Sequence, residues 1–279
     1  MSSSRFEVRF DNALLAGESE GFGLPVVFLH AEGTDRRMWA EQMEAVAAAG
    51  FHVIAYDRRG FGETESPDEP FSHLADLEAV LDRLSVNAAV LVGASAGGAL
   101  AIDFALEHPD RTIALVLVGT EIGGAPEPEF PEAAEELFDA RAYALERRQF
   151  GSAARIDAQL WLDGPLNGEG RVEGEARDLY VEMDRQALQK PALSQHDESE
   201  AAFDHIEAIT APVLLIAGEL DFPYVLDRQE ELAERLENAF ALVLEETAHL
   251  PSLERPDLFD PSLLEFLAAI AGEGEADEA

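Results

Sequence analysis

The chain of 279 residues has no cysteine. Disulfides, thiolate nucleophiles and cysteine-held metals are therefore excluded together. Positive charge is almost as scarce. Only 19 arginines and lysines stand against 57 aspartates and glutamates, and Lys190 is the single lysine. A formal net charge of -38 repels nucleic acid and anionic lipid, so neither is an expected partner. No apolar run approaches the length of a membrane span. The opening residues Met1 to Phe6 hold no apolar signal-peptide core, so a cytoplasmic protein is expected. No His/Glu pair has the spacing of a metal site, and neither a metal nor an organic cofactor is expected.

What is present is a globular composition, 47% hydrophobic, long enough for one core with a sizeable insertion or for two domains. The acid-rich, lysine-poor balance resembles the surfaces of extreme halophiles. In dilute buffer the carboxylates repel one another over a long range, whereas in molar salt the screening length shrinks to about 3 Å. The melting temperature is therefore expected to fall as KCl is diluted from molar to millimolar. Melts that do not move would remove this expectation.

Apolar runs alternate with helix-like spacing along the first half. Arg5 to Gly17 reads as an opening hairpin. Pro25 to His30, Phe51 to Tyr56, Ala88 to Val92 and Thr112 to Val118 read as buried strands. Met38 to Ala49, His73 to Leu84 and Ala96 to His108 read as the helices between them. This alternation predicts a mostly parallel α/β sheet flanked by helices. The rhythm breaks at Gly123-Gly124-Ala125-Pro126. Helical patterns follow over Pro131 to Leu162, with an interruption near Gly151, and over Glu175 to Gln189. Strands resume at Pro212 to Ala217 and Ala239 to Leu244, and a last helix covers Asp257 to Ala271. The expected organisation is a core over residues 1–122, an inserted helical lid over 123–209, the rest of the core over 210–271, and an acidic tail over 272–279.

The stretch Gly93 to Gly98, GASAGG, lies between a strand and a helix. That is the setting of a G-x-S-x-G nucleophile elbow, in which small neighbours let a tight turn expose the serine hydroxyl. Ser95 is the candidate nucleophile. A serine needs a base to take its proton, and a histidine titrates in the right range. His249 follows the strand Ala239 to Leu244, and Asp221 follows Pro212 to Ala217. Parallel strands bring these ends to one edge, where Asp221 can orient His249. His30 ends a strand near the same edge and is expected to shape the adjoining loop. His52, His73, His108, His196 and His205 lack such a setting. Asp57, a second possible acid, reads as a structural turn residue, and Trp39 reads as packing.

LHAEGTDRRMW, YDRRGFGET, LVGASAGG, LLIAGELDFP and ETAHLPSLERPDLF carry a resemblance over nearly the whole length. The chain resembles the α/β-hydrolase superfamily, within it the lid-bearing esterases and 3-oxoadipate enol-lactonases. The resemblance implies a catalytic triad of Ser95, Asp221 and His249. It also implies an oxyanion hole from the backbone N–H groups of Glu32 and Ala96. Alanine stands at positions 31 and 248 where glycine is usual. The Glu32 carboxylate would oppose an oxyanion, so it must point into solvent, be neutralised by Arg36 or Arg37, or be protonated. Solvent is the expectation. Trp161, Phe222 and Leu250 are the expected pocket residues.

The implied reaction is hydrolysis of a small carboxylic ester or lactone through an acyl-enzyme. The same triad also serves cofactor-free haloperoxidases or perhydrolases and C–C bond hydrolases. A small-molecule receptor without turnover is the alternative of another class. Serine at the elbow removes the main support for a dehalogenase or epoxide hydrolase. Oligomeric state stays open, a homo-oligomer included.

Overall fold

The computed structural model describes residues 3–193 and 201–277. One sheet contains β1 (Ser4–Phe10), β2 (Ala13–Gly21), β3 (Pro25–Leu29), β4 (His52–Tyr56), β5 (Ala89–Ala94), β6 (Thr112–Val118), β7 (Val213–Gly218) and β8 (Ala239–Leu244). Their order across the sheet is β1-β2-β4-β3-β5-β6-β7-β8. β1 and β2 form an antiparallel hairpin, and β2 runs antiparallel to β4; every later pairing is parallel. Asp11 and Asn12 turn that hairpin with positive φ, which these two residue types tolerate. The α/β class expected from the alternating pattern is the observed one.

The helices are α1 (Ala40–Ala48), α2 (His73–Arg83), α3 (Ala96–Glu107), α4 (Glu132–Glu146), α5 (Phe150–Ala158), α6 (Glu175–Gln189), α7 (Pro223–Arg235), α8 (Pro251–Glu254) and α9 (Pro256–Asp277). Successive strand residues face opposite sides, so each strand feeds two cores. Val27, Leu29, Ile54 and Leu91 pack on one side against Leu77 of α2 and Ile102 of α3. Val26, Phe28, Val53 and Val92 pack on the other, against Val46 of α1 and Phe259 of α9. Short apolar runs without polar alternation are what a sheet covered on both faces requires.

Between β6 and β7 lie α4, α5, a π-helical turn over Gln159–Asp163, α6, and a 3-10 helix over Ala202–Ala208. The break between α4 and α5 falls at Arg147 to Gln149, where Arg148 has φ +56°, and Gly151 lies inside α5. Residues 194–200 of the expected lid, His196 among them, lie outside the described residues, as do residues 278–279 of the expected tail. The α9 backbone stays helical to Asp277, past the expected end at Ala271. Among the described residues no helix is long and apolar enough to cross a membrane.

Candidate active site

Four loops leave the C-terminal ends of parallel strands at one edge of the sheet. They follow β3, β5, β7 and β8, and they carry Glu32, Ser95, Asp221 and His249 respectively.

Ser95 joins β5 to α3 at φ +51° and ψ -119°. A side chain resists this region, and the turn is held there by its backbone. The Ser95 N–H donates to the Val118 carbonyl at 2.8 Å, and its own carbonyl accepts from Gly98 and Ala99 at 2.9 and 3.1 Å. The neighbours must be glycine. A Cβ on Gly93 would stand 2.3 Å from the Gly97 carbonyl oxygen, and one on Gly97 would stand 2.2 Å from that of Leu29. The N–H of Ala96, first residue of α3, has no acceptor within its own helix.

His249 Nδ1 lies 2.8 Å from Asp221 Oδ2 and 3.1 Å from Oδ1, with both side chains buried. The carboxylate keeps the proton on Nδ1, which leaves Nε2 as an acceptor. Nε2 is buried and makes no protein hydrogen bond. Burial works to lower the imidazole pKa. The charge and hydrogen bond of Asp221 outweigh it, helped by Glu121 and Glu254, and the net displacement is upward. Gly119, at φ +52°, makes room for the ring, since a Cβ there would stand 3.0 Å from His249 Nδ1. Glu254 holds the histidine loop from behind. Its carboxylate accepts from the N–H of Ala248 at 3.0 and 3.1 Å and of Leu250 at 3.3 Å, and it pairs with Arg171.

His30 supports the loop after β3 as expected. Its Nδ1 donates to the Ala31 carbonyl at 2.8 Å, and its Nε2 accepts from the Arg58 N–H at 3.0 Å. Burial, then the Arg58 charge, pushes its pKa well down, which keeps the ring neutral. Neither Ala31 nor Ala248 is among the non-glycine residues with positive φ, so alanine is unstrained at both positions. The Glu32 side chain is 72% exposed, as expected. Its nearby cation is Arg58, at 3.7 Å, and not Arg36 or Arg37. Arg36 is engaged by Asp57, Glu18 and Glu63, and Arg37 by Asp35 and Glu182. Asp57 is buried within that network, in the structural role expected of it, and Trp39 is buried between Phe28 and Phe259.

Ser95, Ala96, His249, Glu32, Leu250 and Trp161 line one cavity of about 1250 Å3. The Trp161 ring lies 4.8 Å from the His249 ring. Phe222 corrects an expectation: it does not line this cavity. It is fully buried, 4.9 Å from the Trp161 ring, among Phe130, Phe138 and Tyr224. Its backbone contributes instead, because its N–H donates to Asp221 Oδ1 at 2.7 Å. Proximity to Asp221 in sequence said nothing about the direction of the ring.

Several cavity residues were not foreseen: Arg58, Lys190, Tyr180, Asp184, Arg141 and Asp157. Arg141 binds Asp157 at 2.6 and 2.7 Å. Burial, then repulsion from Asp157, pushes the Asp184 carboxyl upward. A signal existed for each of two groups. Arg58 follows a strand at the same edge as Ser95. Asp184 interrupts the buried stripe of α6 four residues after Tyr180. Among the described residues no three His, Asp or Glu side chains cluster as a metal site would need.

Residues 26–260 match the model of the alpha/beta hydrolase family. The chain is 31% identical to the non-heme chloroperoxidase of Streptomyces lividans over 270 residues, covering 88% of this chain and 92% of that protein. Its structure is similar to that of a thermophilic esterase from Thermogutta terrifontis, with 26% identity, a TM-score of 0.77, and 96% and 99% of the two chains covered. It is similar also to an N-acyl homoserine lactone degrading enzyme, with 27% identity, a TM-score of 0.70, and 93% and 99% covered. A family match across most of the length, on this sheet and with these loops at its edge, makes the chain a member of the alpha/beta hydrolase family.

Proposed function

We propose that the protein is a serine hydrolase that cleaves a small carboxylic ester or lactone through an acyl-Ser95 intermediate. The observation that carries this reading is the Asp221–His249 pair, with an unpartnered Nε2, in the same cavity as a serine on a strained elbow. His249 takes the Ser95 proton as Oγ attacks the substrate carbonyl carbon. The N–H groups of Glu32 and Ala96 receive the oxyanion. The tetrahedral intermediate collapses and expels the alcohol oxygen, which takes the proton from His249. Water then attacks the acyl carbon and gives a proton to His249, which passes it to Ser95 Oγ as the acid is released. The helices between β6 and β7 act as a lid, since Trp161, Tyr180 and Asp184 all belong to that segment and line the cavity. The acidic surface fits a protein that works in concentrated salt.

Similarity to the chloroperoxidase favours a second outcome for the same acyl-enzyme: attack by hydrogen peroxide in place of water, which gives a peracid. Short p-nitrophenyl esters and simple lactones, assayed in molar KCl with and without peroxide, separate the two. A labelled fluorophosphonate that leaves Ser95 unmodified would speak for a receptor without turnover.

The pH dependence follows from His249. It must be neutral to act as a base, and its pKa is displaced upward from about 6.5. The acid limb of kcat/KM is therefore expected above about pH 6.5, with activity lost as pH falls through it. Asp221→Asn should move that limb to lower pH as well as lower the rate. A wild-type limb well below the ordinary histidine range would exclude His249 as the base.

A further inference from the structure

Three of the helices between β6 and β7 bring polar side chains to the wall of the cavity that Ser95 and His249 line. Arg141 comes from α4 and Asp157 from α5, while Tyr180 and Asp184 stand one turn apart on the buried face of α6. The carboxyls of Asp157 and Asp184 are within hydrogen-bonding reach of each other, which requires a proton on one of them. Arg141 donates through Nε to both oxygens of Asp157, at 2.6 and 2.7 Å, so its charge is engaged there. Asp184 differs. It is 3% exposed, and among the described residues no N–H or hydroxyl donates to its buried Oδ2. Its Oδ1 stands beside the loop after β3: a Cβ on Gly33 would lie 2.6 Å from Oδ1 and 3.7 Å from the Tyr180 hydroxyl. Gly33 follows Glu32, whose carboxylate adds a further negative charge that acts on both Asp184 and Tyr180.

Two carboxyls against one arginine leave this corner one positive charge short, and a buried charge without a partner is costly. Burial, then repulsion from Asp157, pushes the Asp184 carboxyl up to about 8, so the pair meets the deficit by keeping a proton. A ligand hydroxyl or amide would bring a donor but no charge. An ammonium brings both, with its N–H donors fanned toward several acceptors at once. We propose that the corner formed by Asp184, Asp157 and Tyr180 binds a protonated amine on the substrate. The substrate class is then an ester or lactone that carries an ammonium group, such as an amino acid ester. This rests on the hydrolase reading for the reacting end and adds the identity of the other end. The ammonium donates to the Asp184 carboxylate and to the Tyr180 hydroxyl oxygen. The proton held by the carboxyl pair leaves to solvent and the amine keeps its own, so one cation replaces another.

The test compares the methyl esters of glycine, β-alanine and γ-aminobutyrate with those of propionate, butyrate and valerate, in which a methyl group replaces the ammonium. Wild type and Asp184→Asn are assayed in molar KCl near neutral pH, and the quantity read is the ratio of kcat/KM for the amino ester to that for its alkyl counterpart. For at least one chain length wild type is expected to favour the amino ester, and Asp184→Asn to lower the ratio on the order of 30-fold, as loss of a buried charge-assisted pair implies. A ratio that is the same in wild type and Asp184→Asn at every length overturns the proposal, as does an equal loss on both esters, which is what a merely structural carboxyl pair would give. Calorimetry of the amino esters with Ser95→Ala, in buffers of different ionisation enthalpy, reads binding without turnover and counts the protons released. Binding with proton release is expected. Should Asp184→Asn fail to fold by circular dichroism, this count decides: no binding, or binding without release, overturns the proposal. If wild type turns over neither ester, the hydrolase reading fails. The amine site still stands if the amino esters bind Ser95→Ala with proton release and Asp184→Asn abolishes it, and falls otherwise.

Discussion

Ser95→Ala is expected to lower kcat/KM for a short p-nitrophenyl ester by at least three orders of magnitude, with the melting temperature almost unchanged. Removal of the nucleophile of a comparable triad costs on the order of 10⁶ in kcat, and what survives comes from binding and the oxyanion hole. The hydroxyl makes no contribution to the turn. The elbow is built from backbone, with the Ser95 N–H on Val118 and the glycines at 93 and 97 giving way to the carbonyls of Gly97 and Leu29. Alanine carries the same Cβ into the same φ, so the strain is conserved. Rate and stability should therefore separate completely. Equal rates for wild type and Ser95→Ala would exclude catalysis through this serine, whatever the geometry of the Asp221–His249 pair. Labelling by a fluorophosphonate should vanish in parallel.

Asp57→Ala is expected to destabilise the fold by about 3–5 kcal/mol, read by denaturant unfolding in molar KCl. The Asp57 carboxylate has no exposure. It accepts from the Arg36 N–H at 2.9 Å and the Glu63 N–H at 2.7 Å, and it meets the Arg36 guanidinium directly. Its loss leaves two N–H groups and a buried cation with one partner fewer, so the cost is that of an uncompensated charge and not of one missing contact. Glu63→Ala is the control. Glu63 also binds Arg36, at 2.6 Å, but its side chain is 57% exposed, and water replaces it at a cost of no more than about 1 kcal/mol. Equal effects from the two substitutions would contradict this division between buried and solvated partners. Activity should fall with Asp57, because Arg36 follows the Glu32 loop in sequence and ties it to the turn after β4.

The strands and their parallel order were legible because a sheet covered on both faces demands short, uninterrupted apolar runs, and β3, β5, β6 and β7 are such runs. The elbow was legible because backbone crowding admits only glycine at Gly93 and Gly97, a requirement stated in one-letter code. His249 and Asp221 were legible as candidates because strand ends in a parallel sheet share an edge. Phe222 was misread, and Arg58 and Asp184 were not foreseen, for a common reason. Each depends on where a side chain points and on what fails to meet it. Those facts arise from contacts between segments apart in the chain: Arg58 with Glu32, Asp184 with Asp157, Phe222 with the aromatic group around Phe130.

The sequence by itself determined the α/β class, the elbow, the order in which the candidates Ser95, Asp221 and His249 follow one another, and a formal net charge of -38. These follow from local sterics, from the period of apolar residues, and from counting, none of which requires long-range contacts. Only the tertiary structure decided the state of the groups around the site. It left His249 Nε2 without a partner, turned the Glu32 carboxylate into solvent, and buried Arg58 on the cavity wall with Nε and Nη2 lacking a hydrogen bond. Whether a charge is satisfied depends on the distance and solvation of its partners, and residues far apart in the chain set both.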